Sequence, residues 1–161
     1  MMPISLDYAE EIFGVFDDKV TKYMFPSTPK EVEDTRIFIR STMDKLSKGE
    51  ELVVVILDKD TMEFLGNTGL HRINTSTPEL GIWIKTAAHG HGYGREAVTA
   101  MKEWADRNVK YEHLVYPVAE ENIPSRKIPE SLGGILVSNE PKSNQAGVIY
   151  QAVTYHIYPP K

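Results

Sequence analysis

The chain has 161 residues, 41% hydrophobic and 25% charged, the composition of one folded globular unit over residues 1–161 rather than of a disordered chain. A formal charge of −5, with Lys and Arg scattered among acids, excludes the basic stripe that a polyanionic duplex needs, so no nucleic acid is expected as a partner. The sequence has no cysteine, which excludes disulfides, thiolate metal sites and a cysteine nucleophile. No apolar run reaches the roughly 18 residues that suggest a membrane span. Met1-Met2-Pro3-Ile4-Ser5-Leu6-Asp7 lacks the basic flank and apolar core of a secretory leader. A cytoplasmic protein with no membrane partner is therefore expected.

Ser5 can cap a first helix, with Asp7 and Glu10 at its positive end and Ala9, Ile12, Phe13 and Phe16 along one face. Thr28-Pro29-Lys30-Glu31 reads as a capping box with proline at the first helical position. Val32, Thr35, Ile39, Met43 and Leu46 follow at helical spacing until Gly49 stops the helix. Two such amphipathic helices pack as a pair over one face of a sheet. Residues 52–57 are continuously apolar and rich in valine, as in a central strand covered on both sides. Asp58-Lys59-Asp60-Thr61 turns the chain into a strand over 64–73, and the loop 74–78 leads to another, Glu79-Leu80-Gly81-Ile82-Trp83-Ile84.

After a glycine-dense stretch, a third helix buries Ala97, Val98, Met101, Trp104 and Ala105. Residues 113–118 read as a strand and 124–132 as a short helix. Residues 135–137 and 148–158 then pair around a loop at 139–147. The pattern predicts an α/β (α+β) fold, a mixed sheet with helices on both faces. Exposed strand edges, residues 148–158 above all, suit a homodimer.

The strand, glycine loop and helix from Glu79 to Asn108 carry the chemistry. In His89-Gly90-His91-Gly92-Tyr93-Gly94 the glycines let the backbone approach a ligand closely, and the loop opens into a helix N-terminus suited to a pyrophosphate. His89, His91 and Arg95 add cationic contacts. A dinucleotide-binding Gly-x-Gly-x-x-Gly fails because Arg95 stands where the third glycine belongs, and a Walker loop is absent. Coenzyme A pyrophosphate remains, beside the plain reading of a glycine-rich turn. The histidines lack partners at ligand spacing, so no metal is implied. His113 and His156 lie in strand-like runs and read as structural.

From Leu65 to Gly134 the chain resembles a GNAT acetyltransferase, nearest to the branch of the ribosomal-protein N-terminal acetyltransferases. The Glu79 to Ile84 run resembles the family's fourth strand. His89-Gly90-His91-Gly92-Tyr93-Gly94-Arg95-Glu96-Ala97 resembles its pyrophosphate loop, and the run from Asn122 and Ser125 to Leu132-Gly133-Gly134 its Asn-x-x-Ser…Leu-Gly segment. The resemblance implies a mostly antiparallel central sheet with a splayed strand pair. It also implies acetyl-CoA as cosubstrate and direct attack by a primary amine of a small molecule or peptide, with no acyl-enzyme.

Gly90, Gly92, Tyr93, Gly94 and Arg95 would cradle the pyrophosphate through their amides. The backbone of Trp83, Ile84 and Lys85 would pair with the pantetheine arm, and Asn122 and Ser125 would bond near the sulfur. A lysine-like acceptor has a pKa of about 10.4, so a base must help. Glu79 is placed for that role through water, and His71 has the better intrinsic pKa. Two departures stand out: His89 replaces the usual Arg or Gln, and Pro129 occupies the place of a frequent tyrosine acid, so the thiolate takes its proton from Ser125 or a water, or needs none because it is a tolerable leaving group. The family's first strand is missing or abbreviated. A non-catalytic acyl-CoA-binding module is the alternative function, and an adenine-nucleotide or dinucleotide enzyme a remoter one.

Overall fold

The apolar run after Gly49 becomes the strand around which a sheet grows. In a computed structural model that describes residues 1–161, it is β2 (Glu51–Leu57), its inner residues nearly all buried. Asp58 turns the chain by accepting the amides of Asp60 and Thr61, both at 2.9 Å, and delivers it into β3 (Phe64–His71) and then β4 (Glu79–Ile84). A two-residue strand, β1 (Met2–Pro3), adds to the outer edge against Val54 and Val55. The first strand is therefore present in abbreviated form. β5 (Leu114–Ala119), β6 (Ile135–Ser143) and β7 (Ile149–Ile157) complete seven strands in the order β1-β2-β3-β4-β5-β7-β6. All neighbours are antiparallel except β4 and β5, which run parallel and meet at one register pair, Glu79 with Val115.

Helices cover both faces. α1 (Ala9–Val15), the short α2 (Asp18–Thr21) and α3 (Val32–Ser47) lie on one side, where Ile12 and Ile39 pack on Val53, Val55 and Phe64. On the other, α4 (Tyr93–Asn108) and α5 (Ile123–Ser131) bury Val98, Met101, Ala105 and Ile128 against Leu70, Leu80, Leu114, Tyr116 and Ile157. Each fully buried Leu or Ile there contributes about 1.5–3 kcal/mol. The core beneath α4 and α5 thus spans both halves of the sheet, α4 lying on β3 and β4 and α5 on β5 and β7.

Three boundaries differ from the sequence reading. Ser5 precedes a 3-10 turn over Leu6–Tyr8 and makes no cap bond, so α1 starts later. The capping box of α3 is Glu31 with Asp34, not Thr28 with Glu31, because the Thr28 hydroxyl is engaged by Asp18 at 2.6 Å and Thr21 at 2.9 Å. Residues 139–143 extend β6 instead of forming a loop. Their side chains are polar because β6 is an edge strand, where even Pro141 is tolerated. For the same reason residues 148–158 offer no free edge: β7 lies between β5 and β6, and the exposed edges are β1 and β6.

His113 and His156 stack at 3.8 Å between ring centroids beside the end of β7. Burial, then the neighbouring His113 charge, push the His156 imidazole below its ordinary value. A depressed histidine stabilises the fold when neutral, so the unfolded chain takes up the proton first and stability falls as pH drops below about 6.5. Thermal melts between pH 7.5 and 5.5 should show this decline. It should be shallower in His113→Asn, which removes the charge repulsion.

Candidate active site

Beyond their single contact, where the Val115 amide donates to the Pro78 carbonyl at 2.8 Å, β4 and β5 diverge. The Lys85 amide donates to Leu65 on β3. Strand alternation therefore turns the backbone groups of Lys85, Trp83 and Gly81 toward β3, and those of Leu80, Ile82 and Ile84 toward the gap. Of the three residues expected to meet a pantetheine arm, Ile84 faces the gap through its backbone; Trp83 and Lys85 do not. The Trp83 ring packs on Phe16 and Phe64, with centroids 4.8 and 5.7 Å apart, and Lys85 is paired with Glu63 at 2.5 Å. Ile82, which sequence reasoning passed over, is the second residue whose backbone faces the gap.

The gap leads to the glycine loop. Gly90 and Gly92 adopt φ of 83° and 79°, the left-handed region, and Gly92 is the N-cap of α4. Backbone amides of Gly90, His91, Gly92, Tyr93, Gly94 and Arg95 donate to no protein group, and the first to find a partner is that of Glu96, on Gly92. Six free donors at the positive end of a helix form an anion cradle. Gly94 faces β4 and α5, where a β-carbon would make ordinary contacts with Ile128 at 3.4 Å and Ile84 at 3.7 Å.

The two loop histidines are partly committed elsewhere. His89 Nε2 donates to the Ile84 carbonyl at 2.7 Å and ties the loop to the end of β4. His91 Nδ1 donates to the His89 carbonyl at 2.9 Å, and its ring stacks on Tyr93. Arg95 is exposed on a groove of about 670 Å³ that runs along α4 from His91 to Glu103 and reaches Ser131 and Leu132.

On the far side of the gap, the Asn122 carboxamide caps α5 by accepting the Ser125 amide at 3.3 Å. The Ser125 hydroxyl bonds the Tyr116 hydroxyl at 2.8 Å, and burial pushes that phenol up to about 12. α5 ends as a Schellman motif: Gly133, at φ 74°, donates to Glu130 and Gly134 to Pro129. The Leu-Gly-Gly segment is thus the helix stop, and Pro129 sits inside the last turn.

The opposite face of β2, β3 and β4 carries three register rows: Glu51, His71 and Glu79; Val53, Gly69 and Gly81; Val55, Asn67 and Trp83. Glu79 is ion-paired with Arg72 at 3.1 Å and stands at the closed end of the gap. The His71 ring lies over the two glycines: a β-carbon at Gly81 would sit 2.9 Å from Nε2, and one at Gly69 3.0 Å. Its Nδ1 is 2.9 Å from the carboxylate of Glu51. Both side-chain atoms of Asn67 are buried without a hydrogen-bond partner.

Residues 1–135 match the family model described as the acetyltransferase (GNAT) domain. This chain belongs to the GNAT acetyltransferase family. GNAT proteins are acyl-CoA-using transferases, and a strand gap opening onto a row of free amides fits that coenzyme. The chain is 28% identical over 118 residues to an uncharacterized N-acetyltransferase, p20, of Bacillus licheniformis, covering 72% of this chain and 66% of that protein. It is 30% identical over 82 residues to the uncharacterized protein MJ1062 of Methanocaldococcus jannaschii, covering 50% of this chain but only 17% of that longer protein.

Solved GNAT structures share the fold over nearly the whole chain. A ribosomal L7/L12 α-N-protein acetyltransferase, RimL, in complex with coenzyme A superposes with a TM-score of 0.83 at 15% identity, over 98% of this chain and 92% of that one. Spermidine N-acetyltransferase from Vibrio cholerae, in complex with CoA and spermine, gives 0.83 at 15% over 97% and 92%. The microcin C7 self-immunity acetyltransferase MccE, in complex with acetyl-CoA and AMP, gives 0.82 at 23% over 98% and 90%.

Sequence reasoning missed Glu51, Tyr116, Ile82 and Asn67. Glu51 carried a signal: it is an acid on the same alternation as Val53 and Val55, so it had to be buried beside them. The loop geometry gives a direct test. Gly92→Ala meets no steric neighbour but forces a left-handed alanine, so it should cost about 1–2 kcal/mol of stability. Gly94→Ala meets ordinary van der Waals contacts in a permitted conformation and should be milder, as denaturant unfolding will show.

Proposed function

We propose that this protein transfers an acetyl group from acetyl-CoA to a primary amine by direct attack, without an acyl-enzyme. The observation that carries the reading is the run of backbone groups without protein partners, from Ile82 and the Ile84 amide at the strand gap to the free amides of residues 90–95, with the Ile84 carbonyl already accepting from His89. Ile82 and Ile84 would bind the pantetheine amides as an added strand, and the loop amides would take the pyrophosphate. Arg95 and His91 stand where they can add charge to that end. Acetyl-CoA supplies an activated acyl group with a thiolate as leaving group.

Ser125 hydrogen-bonds the Tyr116 hydroxyl rather than an imidazole or carboxylate, so it is not activated as a nucleophile. It is placed instead to hand a proton toward the sulfur, with Tyr116 behind it, which answers the absence of a tyrosine at Pro129. Asn122 acts by fixing the start of α5. For the base, His71 is favoured over Glu79. Its Nε2 stands over Gly81, two residues into the splay, whereas Glu79 is held by Arg72 at the closed end. An amine entering from the α1 and α3 side would meet His71 on the face opposite the coenzyme loop.

Thermal unfolding with saturating acetyl-CoA, CoA, ATP or NAD tests the coenzyme. A ligand at 100 times its Kd adds about 2.7 kcal/mol, and the two CoA species should give this shift while ATP and NAD do not. Absence of a shift with both CoA species would remove the main support for acetyl transfer. Turnover follows from a thiol reagent and a panel of polyamines, amino acids and peptide N-termini. The chain has no cysteine, so the reagent reads released coenzyme alone. In that assay His71→Gln should lower kcat/KM by about 100-fold or more and Glu79→Gln by far less. The reverse order would transfer the base role to Glu79.

A further inference from the structure

Glu51 opens an otherwise apolar strand, yet its side chain is only 9% exposed, whereas that of His71 beside it is 34% exposed. A buried carboxylate next to an accessible imidazole is costly unless the pair is organised. The carboxylate can only accept, so the hydrogen between them belongs to His71 Nδ1. The neutral ring then carries its lone pair on Nε2, the nitrogen that lies over Gly81 and Gly69. No side chain larger than hydrogen would fit at position 81 with the ring in place, since a β-carbon there would come within 2.9 Å of Nε2. The glycine row thus leaves room for the end of the imidazole that carries Nε2, and Glu51 holds the ring at Nδ1.

We propose that Glu51 is a positioning residue that, with His71, forms a carboxylate–imidazole dyad, which takes the proton from the incoming ammonium group of the acceptor. This rests on the reading of the protein as an amine acetyltransferase. In the step, the N–H bond of the acceptor ammonium breaks, its electron pair stays on nitrogen as the attacking lone pair, and the proton forms a bond to Nε2. The resulting imidazolium is compensated by the Glu51 carboxylate at Nδ1.

The charged surroundings are compatible with that role. A small cavity of about 180 Å³ beside the pair is lined by Lys45 from α3, Glu50 and Glu51 at the start of β2, and His71, Arg72 and Asn74 at the end of β3. From β4, Glu79 lies in register with His71 and is neutralised by Arg72. Lys45 stands 3.5 Å from the Glu51 carboxylate. Burial raises the Glu51 carboxyl, but the His71 hydrogen bond and charge, Lys45 and the Thr42 hydroxyl outweigh it and hold the group below the usual range. Glu51 is therefore ionised throughout the neutral range, as the dyad requires.

Two readouts test the dyad. In the intact protein, long-range ¹H–¹⁵N correlation of the His71 ring should show the Nδ1–H tautomer, and Glu51→Gln should loosen that preference. In turnover, Glu51→Gln should lower kcat/KM about tenfold at its plateau. Loss of the carboxylate disfavours the protonated ring, so it should also move the acidic limb of the kcat/KM profile to lower pH. The acetyl-CoA thermal shift should persist in this variant. An Nε2–H tautomer in the wild type, or an acidic limb that stays in place in Glu51→Gln, overturns the proposal. Failure of the acetyltransferase reading would appear separately, as a wild-type protein that acetyl-CoA does not stabilise, and the tautomer measurement would still decide whether Glu51 sets the ring.

Discussion

β4 and β5 touch at Glu79 and Val115 and then part, and most of what the molecule can do follows from that geometry. Parallel neighbours normally satisfy each other's backbone along their length, because unpaired buried peptide groups are expensive. Here the pairing stops after one register pair, while the core beneath continues. Val98, Met101 and Ala105 of α4 and Ile128 of α5 share one core cluster with Leu70 and Leu80 of one half-sheet and Leu114, Tyr116 and Ile157 of the other. α4 lies on β3 and β4 and meets α5, which lies on β5 and β7, so the two half-sheets are joined below the gap through this helix pair. What faces into the gap, the backbone of Ile82 and the amide of Ile84, is then a strand edge without a protein partner, and the Ile84 carbonyl ties it to His89 of the glycine loop.

The same strand divides labour between its two faces. Ile82 and Ile84 send their side chains toward α4, where they pack near Gly94 and under the loop. Glu79, Gly81 and Trp83 point the other way, toward α1 and α3. A coenzyme bound through the backbone at the gap and an acceptor approaching over Gly81 would therefore reach one another from opposite sides of a single strand. Asn67, one row further along on the same face, is a buried amide with no protein partner.

The fold was largely legible because its signals are local. Apolar runs gave β2 and β4, the glycine loop gave the start of α4, and the Leu-Gly-Gly stop of α5 is a backbone motif with its own hydrogen bonds. Errors fell where tertiary contacts decide. Thr28 looked like a cap until Asp18 and Thr21 claimed its hydroxyl, and residues 139–143 looked like a loop because polarity does not distinguish an edge strand from a turn. The glycine loop and the helix start proposed to hold the coenzyme were readable for the same local reason. The acceptor side was not: Glu51 and His71 are 20 positions apart, and only the β2–β3 register sets them side by side.

Gly81 shows how tightly the two sides are coupled. Its missing side chain makes room for the His71 ring, while the amide of the next residue, Ile82, faces the gap. A larger residue would displace either the ring or the strand, and a displaced strand would shift the Ile82 amide as well. A base at His71 and a coenzyme platform at Ile82, as proposed, would therefore not be independent of each other. Gly81, beneath the ring, and Ile82 are consecutive residues of one strand, so their spacing is set by covalent geometry, while the register of β3 on β4 brings the His71 ring over Gly81. Glu51 supports the arrangement from the neighbouring strand by fixing the ring from its far side, so the geometry of attack is carried by backbone register across β2, β3 and β4 rather than by mobile loops.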